Sequence, residues 1–311
     1  MRKIAVILLL ISTAIQAQPK YVIDTTYTPK SVYNKEKKSY PFISLVQPKK
    51  HSNITEKKEV VYSEISDRKL HFDAYFCDNK KTNPAIVILH GGGWKSGNKS
   101  QMEIFAQEVA SKGFSCFTVE YRLSQEAKYP TAIFDVKKAI RYIRKNAVQF
   151  NTNPAKIAIL GCSSGGQMAA LIGTTNNNKL FEEKEKNNKV TSAVQAIIDI
   201  DGILSFKHPE SKEGEIAGLW LGGNYETVPE NWKEASALTH TNKNTPPILF
   251  INSSKERFHA GRDDMITILN QHKIYNEVKT IENSPHSFWF LNPWFDETVT
   301  YTTTFLNKVF E

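Results

Sequence analysis

The chain has 311 residues, 40% of them hydrophobic, and a formal net charge of +8. That length and apolar content suit one large domain, or two small ones, around a sizeable core. Scattered lysines without an arginine-rich helix, a zinc-ligand spacing or an aromatic RNA-binding motif argue against nucleic acid as partner, and three cysteines (Cys77, Cys116, Cys162) do not make a disulfide framework.

The chain opens MRKIAVILLLISTAIQAQPK. Arg2 and Lys3 precede a short apolar run that ends in small residues, the layout of a secretory signal peptide. Residues 1–17 are therefore expected to be removed near Ala17, and the protein to be secreted or periplasmic. The run is too short to cross a bilayer comfortably, and no later segment reads as a membrane helix, so no stable membrane insertion is expected after cleavage. Residues 18–58 show weak periodicity and read as an irregular arm before a catalytic domain over 59–311. There, EVVYSEI and KLHFDAYFC read as neighbouring strands. AIVILH is an apolar strand running into GGGWKSG, SQMEIFAQEVASKG a helix closed by Gly113, and FSCFTVEYRL the next strand. TAIFDVKKAIRYIRKN has helical spacing; KIAILG and GGQMAALIG form a further strand and helix. After the polar stretch 176–189 come the strand VQAIIDIDG, an insertion over about 203–245 with short helical pieces, the strand ILFIN, the helix GRDDMITILNQHKI, the strand VKTIE and a closing helix. Strands apolar on both faces that alternate with helices predict an α/β fold: a doubly wound, mostly parallel sheet covered on both sides.

Within ILGCSSGG, Gly161, Ser163 and Gly165 match G-x-S-x-G between a strand and a helix. The glycines allow a tight turn that lifts the middle residue to its tip, so Ser163 rather than Ser164 is the expected nucleophile. His90-Gly91-Gly92-Gly93-Trp94 follows the strand AIVIL. A glycine run leaves backbone N–H groups unobstructed, so Gly92 and Gly93, with the Ser164 N–H, form a candidate oxyanion hole. The loop lacks the spacing and the Lys-Ser/Thr ending of a phosphate loop. An activated serine needs a base; His286, shortly after the last strand in NSPHSFWF, sits where open parallel sheets bind ligands. The chain order serine, acid, histidine points to a carboxylate just past ILFIN, and Glu256 is the first there. Asp263 and Asp264, at the start of the next helix, are alternatives, and Asp199 and Asp201, after the preceding strand, are outside candidates. Trp94 and Trp289 adjoin the expected hole and base and are candidate substrate-binding rings; ordinary core packing is the other reading for them, as for Trp220 and Trp232.

HGGGW at 90–94, GCSSGG at 161–166, NWKEASALTH at 231–240, PPILF at 246–250 and PHSF at 285–288 resemble the α/β-hydrolase superfamily, and within it the bacterial carbohydrate-esterase branch related to feruloyl and acetylxylan esterases. The resemblance spans roughly residues 60–310. It implies an α/β-hydrolase fold and a Ser-Asp/Glu-His triad, with nucleophile, base and hole carried over to Ser163, His286, Gly92 and Ser164. Where such enzymes commonly read HG-x-x-D, this chain has Asn252-Ser253-Ser254-Lys255-Glu256, so the acid does not carry over directly. The expected activity is serine-dependent hydrolysis of acyl or methyl esters on plant or algal polysaccharides, with an ester as the small-molecule or polysaccharide partner and no metal or organic cofactor. A short-chain lipid esterase, a prolyl-oligopeptidase-like peptidase and a non-catalytic binding module are the competing readings.

Overall fold

The computed structural model describes residue 24 and residues 26–79, 81–182 and 189–311. The expected signal peptide lies outside the described residues. Among those described, no helix is long and apolar enough to cross a membrane.

In chain order the elements are α1 (Pro29–Glu36), β1 (Ser44–Leu45), β2 (Ile54–Ile65), β3 (Arg68–Cys77), β4 (Asn83–Leu89), α2 (Glu103–Ser111), β5 (Ser115–Val119), α3 (Thr131–Lys145), β6 (Thr152–Cys162), α4 (Ser164–Thr174) and β7 (Ala196–Ile200). They continue with α5 (Gly214–Leu221), α6 (Pro229–Glu234), α7 (Ala237–His240), β8 (Ile248–Ser253), α8 (Arg262–Gln271), β9 (Asn276–Ile281), β10 (Leu291–Asn292) and α9 (Phe295–Phe310). Eight strands form one sheet in the order β2-β3-β5-β4-β6-β7-β8-β9. The pairs β2–β3 and β3–β5 are antiparallel, and every pair from β5–β4 to β8–β9 is parallel. This is the mostly parallel, helix-covered sheet expected from the sequence.

Strand β4 shows why the runs are apolar throughout. Successive side chains of a strand point to opposite faces. Ala85, Val87 and Leu89 pack with Ile133, Val136 and Ile140 of α3 and Met168 and Leu171 of α4. Ile86 and Ile88 pack on the other side with Phe105 and Val109 of α2 and Phe305 and Leu306 of α9. A strand buried on both faces has no polar face to alternate with, so its sequence loses the period-2 signature.

The segment expected to be an irregular arm is built into the fold. Thr28 caps α1, its side chain accepting from the Ser31 N–H while the Ser31 hydroxyl accepts from the Thr28 N–H. Val32, Ile43 and Val46 join the α2–α9 side of the core. β1 pairs antiparallel with β10, Leu45 opposite Leu291, and the Tyr27 and Ser287 hydroxyls share a hydrogen bond of 2.9 Å. The expected boundary at residue 58 falls inside β2. Its few apolar anchors are spaced too sparsely to show periodicity, yet each finds a partner far away in sequence. The insertion over 203–245 carries α5, α6 and α7 between β7 and β8.

Candidate active site

The carboxyl ends of β4, β6 and β7 bring three turns together. Strand β6 ends at Cys162 and α4 begins at Ser164, leaving Ser163 at the tip with φ 55° and ψ −122°. That left-handed backbone is costly for a residue with a Cβ and persists only where its surroundings hold it. Here the Ser163 N–H donates to the Ile200 carbonyl at 2.8 Å, and the Ser163 carbonyl accepts from Gln167 N–H at 3.0 Å. The flanking glycines are steric requirements: a Cβ on Gly161 would lie 1.9 Å from the Gly165 carbonyl oxygen, and one on Gly165 would lie 2.4 Å from that of His90.

His286, on the loop after β9, places Nε2 2.8 Å from Ser163 Oγ and Nδ1 2.9 Å from Asp201 Oδ2. The expectation for the orienting carboxylate is thereby corrected. Glu256 stands exposed at the start of a 3-10 turn, Asp263 is paired with Arg262, and Asp264 lies 3.4 Å from His208. The carboxylate that meets His286 comes from the end of β7, one strand earlier than the chain-order argument placed it. Because β7 and β8 are neighbours in the sheet, the ends of both strands lie beside the histidine loop. Asp201 takes a left-handed turn (φ 52°), and its Oδ1 accepts the N–H of Ser253 from the end of β8 at 2.7 Å. His259 approaches the same oxygen, its Nε2 3.7 Å away. Asp201 is fully buried. Burial pushes its carboxyl upward, but the nearby His259 ring and the hydrogen bonds from His286 and Ser253 outweigh this and hold it below the usual carboxylate range. Asp199, two residues earlier, differs: burial drives its carboxyl well above that range.

The glycine loop packs against the elbow. A Cβ on Gly91 would come within 3.1 Å of Ser163 Cβ. Gly92 and Gly93 have φ of 129° and 61°, and the Gly92 carbonyl is turned into its own loop, where it accepts the Ser96 N–H at 3.0 Å. Among the described residues, the N–H groups of Gly92, Gly93 and Ser164 meet no backbone acceptor. The two serines of the motif separate clearly: Ser163 reaches His286, whereas Ser164 is buried with a hydroxyl that has no partner among the described residues.

The two candidate substrate rings are corrected to core residues. Trp94 is 2% exposed; it stacks on Trp220 at 5.3 Å, and its indole N–H donates to Gln167 Oε1 at 2.9 Å. Trp289 is 1% exposed and meets His286 edge-on at 5.4 Å. The ring that sequence reasoning missed is Phe258, stacked on His286 with centroids 3.3 Å apart and planes 9° from parallel. His286 is thus held between a face contact and an edge contact, with its two nitrogens on a hydroxyl and a carboxylate. An imidazole so placed can take the hydroxyl proton, and the buried anion stabilises the imidazolium that results. Among the described residues, no group of three or more His, Cys, Asp or Glu is placed to hold a metal ion.

His90 closes the strand beneath the glycine loop. Its Nδ1–H donates to the Gly91 carbonyl at 2.8 Å, and Tyr121 stacks on its ring at 4.5 Å. Burial lowers its pKa from 6.5 to about 4. The unfolded chain therefore binds a proton between those values that the folded chain refuses. Stability from this group is complete above pH 6.5 and falls as pH drops toward 4, by about 2 kcal/mol between pH 7.5 and pH 5. Urea unfolding at those two pH values should show a loss of this size that shrinks in His90→Gln; an equal loss in both proteins would contradict the assignment.

Residues 72–268 match the BD-FAE family. Esterase LipC of Mycobacterium tuberculosis is 26% identical over 243 residues, covering 76% of this chain and 58% of LipC. The probable carboxylic ester hydrolase LipM of the same organism is 23% identical over 218 residues, 66% of this chain and 47% of LipM. The chain thus spans about half the length of the curated relatives it matches. Among solved structures, a truncated form of a carbohydrate esterase from gut microbiota superposes with a TM-score of 0.70 at 23% identity, covering 84% of this chain and 100% of that one. An acetyl ester-xyloside bifunctional hydrolase from Caldicellulosiruptor lactoaceticus gives 0.69 at 20% identity, covering 81% and 96%. At these identities the structural likeness speaks to the fold, while the family match over residues 72–268 speaks to descent. Together with the sheet order, they show that the chain belongs to the BD-FAE family of the α/β-hydrolase superfamily.

Proposed function

We propose that the protein is an exported serine esterase that hydrolyses acyl or methyl esters on plant or algal polysaccharides through an acyl-enzyme. The observation that carries this reading is the relay Ser163–His286–Asp201, with its 2.8 and 2.9 Å contacts, set against a glycine loop. His286 Nε2 takes the Ser163 proton as Oγ attacks the ester carbonyl. The N–H groups of Gly92, Gly93 and Ser164 receive the developing oxyanion. His286 then protonates the leaving alcohol, and a water, activated by the same ring, releases the acid from Ser163. Asp201 orients the ring and stays ionised throughout.

The carbohydrate side of the reading is supported by the family and by its structural relatives, a carbohydrate esterase and an acetyl ester-xyloside bifunctional hydrolase. A cleft of about 800 Å³ in the insertion, whose lining includes neither the relay nor the glycine loop, offers ring faces and charged groups together through Phe206, Lys207, Glu213, Tyr225 and Trp232. Clefts of that size suit small to medium organic ligands. The test is turnover by purified protein of acetylated xylan, methyl-esterified pectin, feruloylated oligosaccharides, triacylglycerol and proline-containing peptides at matched concentration. Release of acid from one of the glycan esters is the expected result. Peptide cleavage without ester turnover would overturn it, and a clear preference for triacylglycerol would move the substrate to lipid.

A further inference from the structure

The mechanism uses the Ser163 and Asp201 sides of His286 and leaves a neighbouring cleft of about 540 Å³ unexplained. Its walls include Tyr27, Lys35, Lys255, Arg257, Phe258 and His286. Ser163 and the glycine loop are not part of its lining, so it lies on the side of the histidine, the group that protonates the leaving alcohol. Its charge is one-sided. Lys35, Lys255 and Arg257 face a single carboxylate in the lining, Glu36, which lies 3.4 Å from Lys35 Nζ.

Arg257 is held in place by a ring contact and one long ion pair, with no hydrogen bond from its guanidinium to the described residues. Its guanidinium carbon sits 4.1 Å over the ring of Phe258, the same ring that stacks on His286. The nearest carboxylate to it, Glu213, is 3.9 Å from Nη1, beyond hydrogen-bond reach. Among the described residues, neither the Arg257 guanidinium nor the Lys255 ammonium donates a hydrogen bond to the protein. A partly exposed guanidinium resting on an aromatic face, with its donors unspent, presents the planar fork that carboxylates accept in pairs.

Resting on the esterase reading, we infer that Arg257 and Lys255 bind an anionic group on the alcohol part of the ester, and that this group is a sugar carboxylate. The substrate is then an ester of an acidic glycan, one whose leaving alcohol carries or adjoins a uronic acid. The wall that supplies Tyr27 and Lys35 comes from the N-terminal segment, so this segment belongs to the specificity of the site.

Two measurements separate the inference from the reading beneath it. In the first, isothermal titration of the intact protein with methyl glucuronide and with methyl glucoside should give at least about tenfold tighter binding of the uronide. That preference should fall severalfold between about 0.05 and about 0.5 M NaCl, because the cations are solvent-exposed. It should disappear in the Arg257→Gln/Lys255→Gln double variant and survive in part in Arg257→Lys. In the second, the acetyl esters of the same two glycosides are compared as substrates, and the uronide should be favoured through KM rather than kcat. Equal binding of the two glycosides, or a preference that outlives both cations, overturns the inference. Hydrolysis of both esters at equal kcat/KM also overturns it and leaves the esterase reading intact. Selective binding of the uronide with neither ester hydrolysed keeps the anion site and overturns the esterase reading. Both cations are exposed, so the double variant should retain the melting temperature of the parent; if it does not, Arg257→Lys alone decides by the charge it keeps.

Discussion

Asp201→Asn is expected to lower kcat on a good ester by up to roughly 10⁴-fold with little change in KM. The reason lies in which atoms each carboxylate oxygen serves. Oδ1 accepts the Ser253 N–H at 2.7 Å, and Oδ2 accepts from His286 Nδ1 at 2.9 Å. An asparagine has one acceptor atom and one donor group. If its oxygen keeps the short bond to Ser253, its NH₂ faces His286 Nδ1, which must then act as acceptor. The ring proton moves to Nε2, where it points at Ser163 Oγ and cannot receive the serine proton. Steady-state kinetics with a chromogenic acetate, beside Glu256→Gln as control, checks this. Glu256 is exposed and does not meet His286, so its amide variant should turn over near normally. A large loss in Glu256→Gln with a mild one in Asp201→Asn would return the orienting role to Glu256.

The acid was the hardest part of the site to read from the chain. Strand identity was legible because β4, β6, β7 and β8 are short apolar runs bounded by turn residues, and the alternation with helices fixed their parallel sense. Ser163 and His286 were legible for a similar reason: a G-x-S-x-G between strand and helix has one stereochemical use, and a histidine after the last strand has one place to go. The carboxylate is different. Several acids follow β7 and β8, and which of them turns inward depends on local backbone. Asp201 adopts φ 52° and is buried beside the end of β8, whereas Glu256 lies in a 3-10 turn that faces solvent. The available signal was the Asp201-Gly202 pair closing a buried strand. A polar residue at the end of such a run must be hydrogen-bonded if it is buried, and here the donors come from His286 and Ser253.

The same distinction explains the aromatic residues and the N-terminal segment. Nothing in the sequence separates a tryptophan that lines a cleft from one that fills the space beneath it. Trp94 became core because Trp220 and Phe206 from the insertion cover it, and those contacts span more than a hundred residues. Phe258, by contrast, sits in a polar stretch without periodicity and gave no sign that it would lie on the histidine. Residues 27–46 read as irregular for a related reason. Their order comes from the Tyr27–Ser287 hydrogen bond and from the pairing of β1 with β10, both contacts with the other end of the chain.

The second large effect separates the two serines of ILGCSSGG. Ser163→Ala should reduce kcat by roughly 10⁶-fold, since loss of the nucleophile leaves only the hole and substrate binding. It should also abolish labelling by a fluorophosphonate while preserving the fold, because alanine carries the same left-handed strain that serine already bears. Ser163→Gly should be equally inactive yet more stable, by about 1–2 kcal/mol, since glycine adopts φ 55° without that strain. Ser164→Ala should do neither. Its hydroxyl is buried without a partner among the described residues, so its removal deletes an unsatisfied polar group and should hold or raise the melting temperature. The backbone N–H that would receive the oxyanion remains, and turnover should stay within about threefold of the parent, a difference below 1 kcal/mol in barrier height. Peptide mapping of the labelled protein gives the direct result. A phosphonate on Ser164 with Ser163 unmodified would falsify the register of the elbow, and with it the relay from Ser163 through His286 to Asp201.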